Sequence, residues 1–155
     1  MANFPTGAQS FTLSLAEFAK AAPEQARTVV RKVSIDMLTK VVLRTPVGNP
    51  SLWKSKPPAG YVGGRLRANW AVSFGAPSFR TTVETDKSGQ ATIMRGSATI
   101  QRAYGELDIY ITNSLPYAIP VEYGHSQRQA PAGMVRVTVT EFQSFVDARA
   151  REAAK

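Results

Sequence analysis

Residues 44–70 read RTPVGNPSLWKSKPPAGYVGGRLRANW, and this stretch decides how the rest of the chain is arranged. An amphipathic helix is predicted to end where the stretch begins, and a strand is predicted to begin where it ends. Between them lie four prolines and four glycines, which favour turns, together with Trp53 and Tyr61. No side chain in it marks a catalytic centre, so the stretch predicts architecture more than chemistry.

The helix before this stretch is predicted to run from Pro23 to Arg44. Pro23 suits a first helical turn, and Thr45 precedes Pro46, which biases it away from helical dihedral angles. One side of this helix carries an apolar stripe that is expected to face the sheet, and it consists of Ala26, Val29, Val30, Val33, Met37 and Val41. A second apolar patch, which either another element of the same chain or another subunit could cover, consists of Ile35, Leu38 and Val42.

Residues 1–13 are predicted to form an extended arm. Phe11 and Leu13 alternate with polar residues, which is the period of a strand that could pair with its own sheet or with a neighbouring subunit. Ser14 and Glu17 have the spacing of a capping box, which predicts a short helix to about Ala21.

Alternating side chains predict two strands after residue 70. The first contains Trp70, Val72 and Phe74, and the second contains Leu107, Ile109 and Ile111. Three further helices are expected near residues 97–102, 116–123 and 131–154. We therefore predict one α+β domain over residues 1–155, in which a long N-terminal helix and a C-terminal helix pack on a small, mostly antiparallel sheet.

Composition excludes several classes of protein. The 155 residues, of which 43% are hydrophobic and 19% charged, suit one globular core. The chain has no cysteine, which excludes disulfides and thiolate metal sites. No apolar run approaches the roughly 20 residues that span a bilayer, and the N-terminus lacks the pattern of a signal peptide. We therefore expect no membrane partner.

The charge of the chain is uneven. The formal net charge is +8, and residues 1–70 hold ten Lys or Arg against three Asp or Glu. Residues 71–155 hold nine basic and eight acidic residues. A basic N-terminal half suggests a polyanionic partner such as nucleic acid, although basic charge can also serve solubility alone.

Motifs for catalysis are sparse. His125 is the one histidine, and it lacks the nucleophile and acid of a triad. Glu122 lies close to it in sequence, but no third metal ligand has suitable spacing. Two carboxylate pairs, Glu84 with Asp86 and Glu106 with Asp108, could bind a metal as in a nuclease or another hydrolase, although solvated strand positions have the same pattern. Gly63-Gly64-Arg65 lacks the spacing of a phosphate-binding loop. We predict no enzymatic activity, no cofactor and no metal.

The stretch itself combines basic and aromatic residues. Lys54, Lys56, Arg65 and Arg67 surround Trp53 and Tyr61. Such residues can stack on bases and hold phosphates, or they can pack on the body of the chain or on a partner. Packing on a partner is favoured, because Trp, Tyr and Arg are frequent anchors of protein interfaces.

Four segments together resemble a known family. RTPV at 44–47, GGRLRANW at 63–70, PYAIPVEYGHS at 116–126 and PAGMVRVTV at 131–139 resemble the small neck and tail-completion proteins of tailed bacteriophages, often called minor tail components. The resemblance covers residues 16–148. In that family T-P-V is followed almost directly by G-x-L-R-x-S/N-W, whereas here residues 48–63 intervene. This insertion is predicted to reach toward another subunit or ring.

The resemblance implies a structural virion protein without enzymatic activity. It implies a ring, hexameric in the family, that surrounds a DNA channel and joins the tail to the head. Implied partners are other copies of the chain and head-closure, tail-terminator or tail-tube proteins, after assembly in the host cytoplasm. The alternative function is a nucleic-acid-binding protein that uses the basic N-terminal half.

Two sets of residues follow as site predictions. The predicted interface consists of Phe11, Leu13, Ile35, Leu38, Val42, Trp53, Tyr61, Tyr123 and His125. The predicted contacts with channel DNA or an acidic partner are Arg65, Arg67, Lys54 and Lys56.

Overall fold

A computed structural model describes residues 8–103 and 108–155, except for the side chains of residues 8–22. Within these residues the chain forms six α-helices and one two-stranded antiparallel sheet, which is the predicted α+β class. The helices are α1 (Ala8–Arg44), α2 (Arg65–Ala68), α3 (Gln90–Gln101), α4 (Ala118–Glu122), α5 (Val135–Thr140) and α6 (Phe142–Ala153). The strands are β1 (Ala71–Phe74) and β2 (Ile109–Thr112), and a short 3-10 helix spans Pro50–Leu52.

The C-terminal half of α1 is the centre of the structure, and α3 runs antiparallel beside it. Gly89, immediately before α3, contacts Val42 of α1. Gly96, further along α3, contacts Leu38, which comes earlier in α1. Any Cβ at Gly96 would collide with the Leu38 side chain, so glycine lets the two helices approach closely. Beyond the end of α3, the Arg31 guanidinium donates to the carbonyl of Ala103 at 2.9 Å.

Helix α6 also runs antiparallel to α1, along a different side. Its contacts with α1 include three ion pairs, which are Arg44–Glu141, Asp36–Arg149 and Lys32–Glu152. At 100° per residue, the α6-facing positions 32 and 36 lie about 120° around α1 from the α3-facing positions 31, 38 and 42. Helix α1 therefore separates α3 from α6.

The two strands confirm the alternating patterns. Ala71 is opposite Thr112 and Phe74 is opposite Ile109 in the antiparallel register. Val72, Ile109 and Ile111 pack against the core from the same face of the sheet. The predicted residue Leu107 lies outside the described residues.

One buried cluster joins α1, α2, α3, α4 and the segment before α5. Its members are Leu38, Val41, Val42, Leu66, Trp70, Ile100, Leu115, Ala118, Val121, Ala130 and Met134. Leu38 and Val42 have no exposed surface, so the second apolar patch of α1 is covered by the same chain. Their assignment to an intersubunit interface is therefore wrong, while Ile35 is partly buried against this core. Sequence periodicity located the patch but not what covers it.

The predicted N-terminal arm is also corrected. Helix α1 begins at Ala8, so Phe11 and Leu13 lie in a helix and not in a strand, while residues 1–7 lie outside the described part. Phe11 and Leu15 are four residues apart, a spacing that fits a helix as well as the alternation fits a strand. Pro23, expected to start the helix, lies inside it. Its missing N–H removes one backbone hydrogen bond of α1 at that point.

Two other helix boundaries differ from the sequence prediction. Helix α3 begins at Gln90 and includes Ser97, which was expected to cap a helix there. The C-terminal helix begins at Val135 and is divided at Glu141 into α5 and α6. The short helix predicted over 116–123 is confirmed as α4. Within the described part of the chain, no helix is long and apolar enough to cross a membrane.

Candidate functional site

The stretch between α1 and β1 folds into a corner, formed by Thr45, Arg67, Asn69 and Trp70. Thr45 is fully buried at the end of α1. Its hydroxyl donates to the carbonyl of Val41 at 2.7 Å and accepts the Trp70 Nε1–H at 2.7 Å. Both polar groups in this buried contact are thereby satisfied, which fixes the angle between α1 and the chain that leads into β1.

Arg67 completes the corner by capping the C-terminal end of α1. Its guanidinium donates to the carbonyls of Thr45 at 2.6 Å and of Leu43 at 3.2 Å, and to that of Lys87 at 2.6 Å. A cation is favourable at this end, where helix carbonyls lack partners. Desolvation lowers the pKa of Arg67, and the Asp86 carboxylate opposes this shift. Arg67 is thus a structural residue, and its predicted contact with DNA is not supported by this geometry.

Asn69 ties the corner to the segment between β1 and α3. Its side-chain oxygen accepts from the Thr82 N–H at 2.7 Å, and its amide donates to the carbonyls of Thr82 and Arg65. Asn69 is only 4% exposed, so these bonds satisfy a buried amide.

Gly64, immediately before α2, has a φ of 103°. A Cβ there would lie 2.9 Å from the Lys87 nitrogen, so both the dihedral angle and the space require glycine. Two of the four resembling segments, R-T-P-V and G-G-R-L-R-A-N-W, therefore contain residues that the folding of the corner requires.

The predicted insertion, residues 48–63, forms a closed loop. Its ends touch, because a Cβ on Gly63 would lie 2.7 Å from the Gly48 oxygen. Trp53 and Tyr61 pack edge to face, with ring centroids 4.8 Å apart. The aromatic side chains predicted to contact a partner thus contact each other, although Trp53 remains 38% exposed. Their contact with a partner remains a prediction.

The remaining predicted basic residues lie on the surface. Lys54 and Lys56 are exposed on the loop and form no ion pair with any carboxylate in the described ranges. Arg65 is exposed and donates through Nε to the Thr82 carbonyl at 3.0 Å. This bond fixes the position of Arg65, and its terminal nitrogens donate to no group within the described residues.

Asp86 has a structural role at the start of α3. It accepts from the backbone N–H groups of Gly89 and Thr92 at 2.8 and 2.9 Å, and from the Thr92 hydroxyl at 2.8 Å. Burial would raise the pKa of Asp86, but these hydrogen bonds outweigh it and lower the pKa. Asp86 caps a helix, and Glu84 instead lies 3.9 Å from Arg95. The other predicted pair includes Glu106, which lies outside the described residues.

Glu122 caps the start of α5, although it lies well before α5 in the sequence. Its carboxylate accepts from the backbone N–H groups of Met134, Val135 and Arg136 at 2.7, 2.8 and 2.9 Å. Burial would raise the pKa of Glu122, but these bonds and that from the Arg136 side chain lower it. The carboxylate is therefore committed to the helix and is not a free metal ligand.

Tyr123 and His125 are exposed after α4, as an interface would require. The Tyr123 ring is 73% exposed, and the Arg136 guanidinium lies 5.1 Å from its centroid. This cation–π contact orients the ring. Among the described residues no group of three or more His, Asp or Glu side chains is placed to hold a metal.

A cleft of about 260 Å³ lies beside the start of β1. Its polar lining includes Asn69, Glu84 and Arg95. Asn69 is bonded to the chain, and Arg95 donates to the Ala68 carbonyl at 2.8 Å while pairing with Glu84. These groups serve the fold, and the lining does not bring a nucleophile together with a base.

Exposed apolar side chains form two sets on different elements. The set that we call the α4–α5 face consists of Ile119, Tyr123, Val135 and Val139, together with Phe142 at the start of α6. The α3 face consists of Phe79, Val83 and Met94, which are 80%, 82% and 71% exposed. Sequence reasoning missed the α3 face, because Phe79 and Val83 lie in a turn-rich segment without a periodic pattern.

No protein-family model matches the sequence, no curated protein matches it, and no solved structure matches the fold.

Proposed function

We propose that this chain is a structural protein of a tailed-bacteriophage virion, a neck or tail-completion component that assembles into a ring. The observation that carries the proposal is the pair of exposed apolar faces. Large apolar side chains exposed to this extent are expected where another surface covers them. The resemblance of four sequence segments to neck and tail-completion proteins supports the same proposal independently.

Two different faces suit a ring better than a two-fold dimer. In a ring each subunit presents one surface to the neighbour on one side and a different surface to the other neighbour. The α3 face and the α4–α5 face lie on different elements, so one could contact the other on a neighbouring subunit. A two-fold dimer would use one face and leave the second exposed.

The experiment uses one variant for each face. Val83→Asp places a charge on the α3 face, and Ile119→Asp places one on the α4–α5 face, at positions 82% and 69% exposed. Each variant alone should remain monomeric in sedimentation velocity, under conditions in which the unmodified chain forms a closed oligomer. Ala148→Asp, at an exposed position on α6 outside both faces, should leave assembly unchanged.

A mixture of the two face variants gives the decisive result. Each variant retains one intact face, so the mixture should form a heterodimer and no larger species. Formation of homodimers by either variant alone would contradict head-to-tail assembly. A chain that stays monomeric up to about millimolar concentration and is missing from purified virions would overturn the proposal.

A further inference from the structure

The cleft beside the start of β1 borders the α3 face. Each of the three exposed apolar residues of that face is followed in the sequence by a residue that lines the cleft. These lining residues are Arg80, Glu84 and Arg95. Consecutive Cα atoms are about 3.8 Å apart, so a neighbouring subunit that covers the α3 face would also lie over the cleft.

The cleft has the size and the lining for one aromatic side chain. Its volume is about 260 Å³, and its mostly apolar lining includes Ala68 and Ala71. Two polar lining residues, Asn69 and Arg95, donate to backbone carbonyls, which fixes these parts of the wall. Arg80 is exposed and forms no ion pair with a carboxylate of the described residues. An apolar cleft with an available guanidinium suits an aromatic ring.

Tyr123 on the α4–α5 face is an exposed ring whose position is fixed by the chain. The ring is 73% exposed, and the Arg136 guanidinium lies 5.1 Å from its centroid. Arg136 is itself held by Glu122, because it donates to the Glu122 carbonyl at 2.7 Å and to the carboxylate at 3.3 Å. A side chain that is already ordered loses little conformational entropy on binding, and tyrosine is a frequent anchor of protein interfaces.

We propose that Tyr123 of one copy of the chain inserts into the cleft of a neighbouring copy. The inference rests on the head-to-tail assembly proposed above, and it names the contact that sets the orientation of neighbouring subunits. In this contact the ring meets the apolar lining and the Arg80 guanidinium. The phenol hydroxyl can donate to Glu84, whose carboxylate lies 3.9 Å from Arg95, beyond hydrogen-bonding distance.

Two other side chains of the α4–α5 face match the cleft less well. Ile119 is 69% exposed but has neither a ring for Arg80 nor a polar group for Glu84. Phe142 is 46% exposed and lacks a hydroxyl. Tyrosine combines an apolar ring with a polar tip, which corresponds to a cleft with an apolar lining and charged residues.

A double-mutant cycle in the heterodimer of Val83→Asp and Ile119→Asp tests the contact. Tyr123→Ala is added to the Val83→Asp chain, which keeps its α4–α5 face, and Arg80→Ala is added to the Ile119→Asp chain, which keeps its cleft. Tyr123→Ala should weaken the heterodimer about thirtyfold or more, and Arg80→Ala about threefold to tenfold. Together they should weaken it less than the product of the two losses, because each removes the same contact. Analytical ultracentrifugation measures the dissociation constants.

The control is Val139→Ala, at a position 52% exposed on the same face as Tyr123. Its loss should multiply with that of Arg80→Ala, since the two side chains share no contact. Independent losses for Tyr123 and Arg80 in a heterodimer that still forms would overturn this inference and leave head-to-tail assembly standing. If Val83→Asp and Ile119→Asp form no heterodimer at all, head-to-tail assembly fails, and this contact fails with it.

Cross-linking gives a second measurement, because the chain has no cysteine of its own. Thr81→Cys, in the lining of the cleft, is placed in the Ile119→Asp chain, and Tyr123→Cys is placed in the Val83→Asp chain. A short bismaleimide should join the two chains at concentrations above the dissociation constant. Ala148→Cys in place of Tyr123→Cys should give no cross-link. A heterodimer that cross-links equally well through both positions, or through neither, would contradict insertion of Tyr123.

Discussion

The corner and the loop 48–63 are contiguous in sequence, yet their side chains make different kinds of contact. In the corner, Thr45, Arg67 and Asn69 direct nearly every polar group to another part of the same chain. In the loop, Trp53 and Tyr61 contact each other and Gly48 within the same loop, and Lys54 and Lys56 face solvent. The comparison shows that two of the resembling segments, R-T-P-V and G-G-R-L-R-A-N-W, contain residues that build the fold, while the loop that departs from the family pattern leaves its lysines in solvent.

The two tryptophans give the strongest test of this contrast. Trp70 is 5% exposed, and Trp53 is 38% exposed. Trp70→Ala should lower the free energy of unfolding by about 3–5 kcal/mol, because it leaves a cavity in the core and removes the hydrogen bond to Thr45. Trp53→Ala should cost about 1 kcal/mol through loss of its contact with Tyr61. Urea denaturation measures both, and similar losses would contradict the comparison.

Two glycines with positive φ provide a matched pair. Gly64 has no room for a Cβ beside Asp86 and Lys87, whereas a Cβ on Gly60 in the loop would meet no atom within 4 Å. Gly64→Ala should therefore cost about 2–4 kcal/mol, from dihedral strain and a collision with backbone. Gly60→Ala carries the dihedral strain alone and should cost about 1–2 kcal/mol. Thermal unfolding of the two variants checks the difference, and a larger loss at Gly60 would refute it.

The two arginines of α2, Arg67 and Arg65, also differ in how firmly the chain holds them. Arg67→Lys should lower stability by about 1–3 kcal/mol, because one ammonium cannot reach the carbonyls of Leu43, Thr45 and Lys87 together. Arg65→Lys, which loses one exposed hydrogen bond, should cost less than about 1 kcal/mol. Chemical denaturation at neutral pH measures both changes. Equal effects would mean that Arg67 does not cap α1 in solution.

The smallest expected effect depends on pH. The pKa of Asp86 is lowered in the folded chain, so its stabilisation is present above the ordinary carboxyl pKa and is lost as the pH falls through the folded value. Asp86→Asn should cost about 1 kcal/mol at pH 7, and this difference from the unmodified chain should shrink toward pH 3. Urea unfolding at pH 7, 5 and 3 measures it. The control Glu84→Gln, at an exposed ion pair, should show little change, and a pH-independent loss in Asp86→Asn would contradict the assignment.

Local sequence patterns predicted the elements whose signals lie within a few residues. The alternation at Val72 and Phe74 predicted β1, and Pro116 to Gly124 predicted α4. The pattern at Phe11 and Leu13 misled, because alternation over so few residues is compatible with both a strand and a helix.

The roles of Arg67 and Glu122 were not readable from the sequence. Arg67 caps a helix whose last carbonyls lie more than twenty residues away, and Glu122 binds amides twelve to fourteen residues away. Such contacts depend on the tertiary fold, which periodicity does not encode. The same limit applies to Leu38 and Val42, whose apolar character was evident while their neighbours were not.

The contact between Gly48 and Gly63 has a practical consequence for anyone who modifies this protein. The loop leaves the body and returns to it at nearly the same place, so a change in its length need not move α1 or α2. A peptide tag or a fluorophore-binding sequence could therefore replace residues 54–59 without disturbing the corner. Such a label would report directly on the surroundings of this part of the chain in any assembly that it forms.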